Sequence, residues 1–217
     1  MEIWIPSQTL DIHNIHMSPF QTQINQKVLI APLKYIDTNI TLNSLNILTP
    51  PLEVLFHDIQ TGRLILSVAD QPHFAIKMQM LQTYLASTLY MHQQSFFGFT
   101  NPFLTIEFFK KMLFPLVYNK KLTLFMGASA KTVSIYDKDG MVAATSTQTP
   151  QGIQRVLKPG ESIRIALQLQ GISILTNPAL SILQTLREIP TQTDISGVIN
   201  MCKIRFQQQM KAIYVIT

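Results

Sequence analysis

Residues Ser162 to Leu169 have the sequence SIRIALQL, in which apolar and polar side chains alternate. A period of two residues is typical of a β-strand with one buried face and one solvent-facing side. Pro159-Gly160 predicts a turn just before this strand, and a second apolar run follows Gly171. This stretch therefore indicates a sheet protein.

The same alternation occurs on both sides of this stretch. Asp137 to Gly140 (DKDG) is a tight-turn sequence between two alternating segments, and it predicts the clearest hairpin in the chain. A short apolar run that starts at Lys27 is expected to end at Pro32, which has no N–H to donate to a sheet. Further strand-like segments lie at 40–43, 45–48, 52–56, 63–68, 121–126 and 212–216.

Other segments have helical features. In residues 76–94 apolar side chains recur at spacings of three and four, which places them on one helix face. Asn101-Pro102 resembles an N-cap followed by a first-turn proline, so 103–113 is predicted as a second helix, with an extended strand as the alternative. Residues 178–189 fit a helix or a strand. The sequence thus predicts a β-rich α+β fold, with antiparallel sheets forming a barrel or sandwich and one or two helices inserted near residues 76–114.

The composition is that of a globular protein. The chain has 217 residues, of which 47% are hydrophobic, so it can bury a full core as one domain. Residues 1–26 are rich in Gln, Asn, Ser, Thr and His and are predicted as an N-terminal arm, followed by a single domain over 27–217. Charged residues make up only 13%, about half the usual share, so uncharged polar side chains must supply much of the surface.

Charge and cysteine content limit the partners and the compartment. The net charge is +5, which favours polyanionic partners such as nucleic acid. Cys202 is the one cysteine, so no intrachain disulfide can form, in keeping with a reducing compartment. No signal-peptide pattern and no run of about 18 apolar residues occurs, so no membrane span is expected.

No catalytic constellation is evident. The chain lacks a glycine-rich phosphate loop and a GxSxG motif, and its closely spaced acids, Asp137 and Asp139, belong to the predicted turn. His13 and His16 have a spacing that could present two imidazoles to one metal, but no further ligand type lies nearby. We therefore expect no enzyme activity, no cofactor and no metal.

A basic and aromatic layout is evident instead. Between Lys110 and Lys131 the chain carries five lysines and no acid, with aromatic residues on both sides and in between. Lysines neutralise phosphates and release counterions, and exposed rings stack on bases. The alternative is that the rings are core and the lysines a solvated rim. The phosphate-contact candidates are Lys110, Lys111, Lys120, Lys121, Lys131 and Arg164, and the stacking candidates are Phe56, Phe96, Phe97 and Tyr118.

The order of segments from Val28 to about Ile189 resembles that of the single-stranded-DNA-binding-like proteins of large nucleocytoplasmic DNA viruses. The matching pieces include Ile47 to Leu52 followed by Phe56, then Ser95-Phe96-Phe97-Gly98, and the turns at Asp137 to Gly140 and Pro159-Gly160. Phe97 stands where the family tends to have tryptophan. The resemblance implies a role in DNA replication or repair without catalysis, with cooperative coating of strands.

Together these features predict a non-catalytic, sequence-independent single-stranded-DNA-binding protein of a large DNA virus that self-associates. The residues do not distinguish DNA from RNA. The alternative is a viral structural protein, such as a jelly-roll-like minor capsid protein, that acts through protein–protein contacts. An enzyme or a processivity accessory is a third hypothesis. The expected location is the host cytoplasm, nucleus or virus factory, or the virion if the protein is packaged.

Overall fold

A computed structural model describes residues 3–22, 28–58, 61–125, 133–137, 140–145, 156–175, 179–189 and 203–216. The described chain forms a β-rich α+β fold, which confirms the predicted class. Its strands are β1 (Ile5–Pro6), β2 (Ile15–Met17), β3 (Gln21–Thr22), β4 (Val28–Ile36), β5 (Thr41–Leu42), β6 (Leu45–Leu48), β7 (Leu52–Asp58), β8 (Arg63–Ser67), β9 (Val117–Tyr118), β10 (Lys121–Phe125), β11 (Val133–Asp137), β12 (Gly140–Thr145), β13 (Ser162–Leu175) and β14 (Ile204–Val215). Its α-helices are α1 (Pro72–Met91), α2 (Gln93–Phe97), α3 (Ile106–Met112) and α4 (Ala179–Glu188).

Strand β13, which contains the alternating stretch Ser162–Leu169, lies at the centre of the sheet. One of its edges pairs antiparallel with β14 from Ile163 to Ile174. The other edge pairs in turn with β7, β6 and β4. The alternation in this stretch therefore predicted both the strand and its buried face, since four apolar side chains of that face are at most 1% exposed: Ile163, Ile165, Leu167 and Leu169.

The strands form one large mixed sheet that does not close on itself. Its longest path has the order β12-β11-β14-β13-β7-β8-β10-β9. Among the described pairs, β1–β6 and β11–β14 are parallel, and the other strand pairs are antiparallel. The hairpin predicted around Asp137 is confirmed as the β11–β12 pair, in which Asp137 lies opposite Gly140.

One continuous core joins the helices to the sheet. Helix α1 contributes Leu81, Leu85 and Leu89, none of which is exposed to solvent. The predicted periodicity of this helix is thus confirmed, although the helix begins earlier, at Pro72, and ends earlier, at Met91.

The described part of the predicted arm, residues 3–22, packs on this core. Leu10, Ile12 and Ile15 are at most 6% exposed and belong to the same hydrophobic cluster as the sheet. The Tyr84 hydroxyl of α1 donates to the Ile15 carbonyl at 2.8 Å. The apolar positions of this polar stretch therefore anchor it to the domain.

Two local predictions were wrong. Strand β4 does not end at Pro32 but continues to Ile36, because Pro32 stands where β4 leaves β13 and begins to pair with β2. Helix α3 does not begin after Asn101-Pro102: Thr105 is its N-cap and accepts from the Phe108 N–H at 3.2 Å. The side chain of Asn101 is buried and donates instead to the Leu186 carbonyl of α4 at 3.0 Å.

Candidate nucleic-acid interface

Strands β8 and β10 each have one buried and one outward face. Their inner positions, every second residue, are fully buried: Leu64, Leu66, Leu122 and Leu124. Side chains between these positions must point to the opposite face of the sheet, because successive residues of a strand alternate. On β8 and β10 the outward side chains are Arg63, Ile65, Ser67, Lys121, Thr123 and Phe125.

The strand register brings these outward side chains together. Residues directly opposite each other in paired strands project from the same face. Arg63 of β8 lies opposite Phe125 of β10, and Lys121 of β10 lies opposite Tyr118 of β9. Cations and aromatic rings therefore alternate on one surface of β8, β10 and β9.

The segment between α3 and β9 forms a second side of this site. Gln82 of α1 donates to the carbonyl oxygens of Lys110 at 3.0 Å and Leu113 at 2.9 Å. These bonds satisfy carbonyl groups that the end of a helix leaves without an intrahelical partner. They also hold the start of the segment that carries Phe114 and Tyr118.

The beginning of β14 forms the third side. The Phe114 N–H donates to the Ile204 carbonyl at 2.7 Å, which joins the α3–β9 segment to β14. The next residues of β14 bring Arg205, Phe206 and Gln208 to the site. Arg205 is exposed, whereas Phe206 is buried.

These three sides enclose a space of about 520 Å³, which we call the groove. It combines three cations with four aromatic rings, and no acidic residue lines it among the residues that the structure describes. The lining residues are Arg63, Ile65, Phe114, Pro115, Leu116, Tyr118, Asn119, Lys121, Thr123, Phe125, Arg205, Phe206 and Gln208.

Three of the groove's rings are open to solvent. Tyr118 is 63% exposed, Phe125 is 53% exposed and Phe114 is 51% exposed. Single exposed apolar side chains are common in folded domains, but three exposed rings along one groove form an apolar patch of the kind that marks interaction sites.

Strand β7 borders the groove with both an exposed aromatic ring and an acidic side chain. Phe56, a predicted stacking residue, lies opposite Ile65 of β8 and is 45% exposed, so its ring shares the outward face next to the groove. Asp58 lies opposite Arg63 and accepts a hydrogen bond from the Thr61 hydroxyl at 2.5 Å. The groove is thus positive, with acidic charge at its β7 border.

The structure brings some of the predicted site residues to the groove. Tyr118 and Lys121 line it directly. Lys120 is exposed beside them in the turn between β9 and β10, where Asn119 and Lys120 have positive φ angles of 48° and 58°. The Lys120 carbonyl accepts from the Val68 N–H at 2.9 Å, which holds the turn against the end of β8.

Other predicted cations lie elsewhere. Lys110 and Lys111 are on α3 and do not line the groove, and the Lys110 ammonium lies 2.9 Å from a carboxylate oxygen of Glu107. Arg164 is exposed on β13, opposite Tyr214 of β14 and outside the groove lining. Lys131 is outside the described residues.

The prediction that Phe96 and Phe97 stack on bases was wrong, because both rings are only 8% exposed. The Phe97 ring stacks on that of Phe109, with 5.6 Å between centroids and 9° between planes. The Phe96 ring packs edge-on against Phe20. The short helix α2 turns both side chains into the core, so they stabilise the fold.

Among the groove's cations and exposed rings, four are missing from the predicted set: Arg63, Phe114, Phe125 and Arg205. Arg63 could have been predicted, since the alternation in RLILS places its side chain on the face of the strand opposite to that of Leu64. For Arg205 the sequence offers only its position in the stretch after Asp194, which contains basic residues and no acid. Its place beside Phe114 depends on the pairing of distant segments.

The described residues contain no group of three or more His, Cys, Asp or Glu side chains arranged to hold a metal ion. In the described part of the chain, no helix is long and apolar enough to cross a membrane.

His57 accepts a hydrogen bond from the Leu157 N–H at 3.1 Å through Nδ1. Burial lowers the pKa of His57 below its ordinary 6.5, and the nearby Asp58 carboxylate opposes this shift only partly.

No model of a known protein family matches the chain, and no curated protein is significantly similar to it. The resemblance to viral single-stranded-DNA-binding-like proteins therefore stays a prediction.

Proposed function

We propose that the protein binds unpaired nucleic acid in the groove without catalysing a reaction on it. The observation that supports this best is the coincidence of Arg63, Lys121 and Arg205 with exposed aromatic rings around one space that no described acid lines. Backbone phosphates would contact the cations, and bases would stack on the rings.

The cations match the charged backbone of an unpaired strand, and the aromatic rings match its exposed base faces. Each phosphate that a cation neutralises releases condensed counterions, which favours binding at low salt. Each base stacked on an aromatic side chain contributes about 1–3 kcal/mol, and this term depends little on base identity because every base has a π-face. The groove would thus bind strands of any sequence.

A single strand fits this groove better than a duplex. In a duplex the base faces are covered by neighbouring base pairs, so the exposed Tyr118, Phe125 and Phe114 rings could not reach them. A space of about 520 Å³ is in the range of pockets that hold compact ligands. The groove would therefore hold a short part of an unpaired strand.

The resemblance supports a role in replication or repair of a large DNA virus, with self-association along the strand. DNA is the proposed strand, and RNA offers the same phosphates and base faces. The phenotype of Lys121 and Tyr118 variants in virus replication would distinguish this role from one in the particle.

The test is a titration of a fluorescein-labelled oligonucleotide of about 20 nucleotides with the full chain at low salt. The double variant Tyr118→Ala, Phe125→Ala should bind at least tenfold more weakly, because two stacking contacts of about 1–3 kcal/mol each are lost. Tyr90→Ala is the matched control: Tyr90 is 40% exposed on α1 and does not line the groove.

Two results would refute the proposal. The first is an absence of binding by the wild-type chain at low salt. The second is equal binding by wild type, the double variant and the control, which would show that the rings of the groove contribute nothing. Melting temperatures of the three proteins, measured in parallel, separate lost contacts from lost folding.

A further inference from the structure

Strands β11, β14 and β13 carry an aromatic and basic cluster outside the groove. Arg164 of β13 lies opposite Tyr214 of β14, and Tyr214 lies opposite Tyr136 of β11. The two tyrosine rings are stacked, with 5.3 Å between centroids and 19° between planes. Tyr214 is 37% exposed, and Arg164 is exposed as well. We call Arg164, Tyr214 and Tyr136 the tyrosine patch, which combines the same two kinds of side chain as the groove.

The tyrosine patch and the groove lie on the same face of the sheet. Residues directly opposite each other in paired strands share a face, and such pairs lead from the groove to β13 through Lys121, Ser67, Glu53 and Ser162. Ser162 and Arg164 flank the fully buried Ile163 on β13, so both project outward. The surface that begins in the groove therefore continues across the sheet to the patch.

The distance between the two sites suits a short length of nucleic acid. Lys121 of β10 and Arg164 of β13 are three strand spacings apart in the sheet, which corresponds to about 15 Å. A helical strand advances about 3.4 Å per phosphate, so this distance takes about four phosphate steps, or fewer if the strand is extended. Glu53 lies between them and would repel a phosphate, so the strand would contact cations at the two ends of this path.

We infer that the tyrosine patch is a second contact site for the unpaired strand that the groove binds. Arg164 would contact a phosphate, and a base would stack on Tyr214. Because the rings stack across the β11–β14 pair, Tyr136 covers one face of the Tyr214 ring and the other face is directed towards β13 and Arg164. The stacked partner also holds the ring in place before binding, which lowers the entropy lost on binding.

The inference rests on the proposed function and extends the site beyond the groove. Its test titrates a labelled strand of about 20 nucleotides with wild type and with Tyr214→Ala at low salt. The variant should bind about fivefold more weakly or worse, the effect of losing one stacked base, whereas Tyr90→Ala on α1 should change nothing. Tyr214→Phe keeps the ring and should bind like wild type.

Strand length provides a control within the same proteins. A strand of about four nucleotides in the groove is too short to reach the patch, so Tyr214→Ala should leave its affinity within about twofold of wild type. An equal loss for the short and the long strand would mean that the substitution disturbs the fold or the groove, and it would overturn the inference. Melting temperatures of all variants are measured in parallel.

Arg164→Gln tests the phosphate contact at an exposed position where folding is not at stake. It should lower the salt dependence of binding to the long strand by about 0.7 in the logarithmic slope, the contribution of one phosphate contact. Arg187→Gln, at another exposed arginine, on α4, removes the same charge and should leave the slope unchanged. Equal slopes for the two variants would overturn the role of Arg164.

The two proposals fail in different ways. If Tyr214→Ala and Arg164→Gln bind the long strand like wild type while the groove variant Tyr118→Ala, Phe125→Ala binds weakly, the patch is overturned and the groove stands. If wild type binds neither strand at low salt, both proposals are overturned.

Discussion

Neutralising the three groove cations should change how binding depends on salt. The variant is Arg63→Gln, Lys121→Gln, Arg205→Gln, which removes the positive groups that line the groove and keeps a polar side chain at each position. For single strands, the logarithm of the binding constant falls with the logarithm of salt by about 0.7 per phosphate contact. Three lost contacts therefore reduce the slope by about 2.

This change of about 2 in the slope also predicts a measurable difference in affinity between wild type and the variant. Between about 50 and 200 mM salt, three phosphate contacts weaken binding about 20-fold, so wild type should lose that much more affinity than the variant over this interval. Fluorescence anisotropy of a labelled strand at four or five salt concentrations gives both slopes directly.

The control removes the same net charge from other places. Lys34, Lys111 and Lys158 are exposed and do not line the groove, so replacing all three with glutamine matches the change of charge without touching the site. If the two triple variants reduce the slope equally, binding follows overall charge and the groove has no special role. An unchanged slope in the groove variant would also refute the assignment.

Two further predictions concern stability. Gly171→Ala should lower the free energy of unfolding by about 1–3 kcal/mol, because an added Cβ would clash with the Ala31 carbonyl oxygen where β13 pairs with β4; urea unfolding measures this, and an unchanged midpoint would contradict the close approach. Because burial lowers the pKa of His57, the folded protein favours the neutral ring, and the unfolded chain takes up the proton first as pH falls. Stability should therefore be complete above about pH 6.5 and decrease as pH falls from there through the lowered pKa of His57. His57→Asn, which keeps an acceptor for the Leu157 N–H but does not titrate, should lose less stability between about pH 7.5 and 5.5, and an equal loss would exclude His57 as the source.

Local periodicity predicted the elements whose burial repeats regularly. Strand β13 alternates strictly, and α1 places its leucines at spacings of three and four, so each could be recognised from its own residues. The long pairing of β13 with β14 could not, since the run Gln207 to Gln209 has no apolar alternation and the register contains two irregularities. A β-bulge shifts the face of all residues beyond it, and a sequence pattern alone does not show where one lies.

Nearness along the chain was a poor guide to the site. Lys110 and Lys121 belong to the same basic window, yet the first lies on helix α3 and the second in the groove. Phe96 and Phe97 adjoin that window and are buried in the core. Burial and side-chain direction decide which of these residues can contact a ligand, and both depend on tertiary packing.

The groove instead depends on the register between β8 and β10. A slip of one residue in this pairing would exchange the two faces of a strand, because the side-chain period is two. Leu64 and Leu66, now fully buried, would become exposed, and Arg63 would point into the core without a partner. The free-energy cost of burying that charge, added to the loss of two buried leucines, strongly disfavours the slip. The same apolar pattern that builds the core therefore also holds Arg63 and Phe125 side by side at the surface, where a strand could meet both.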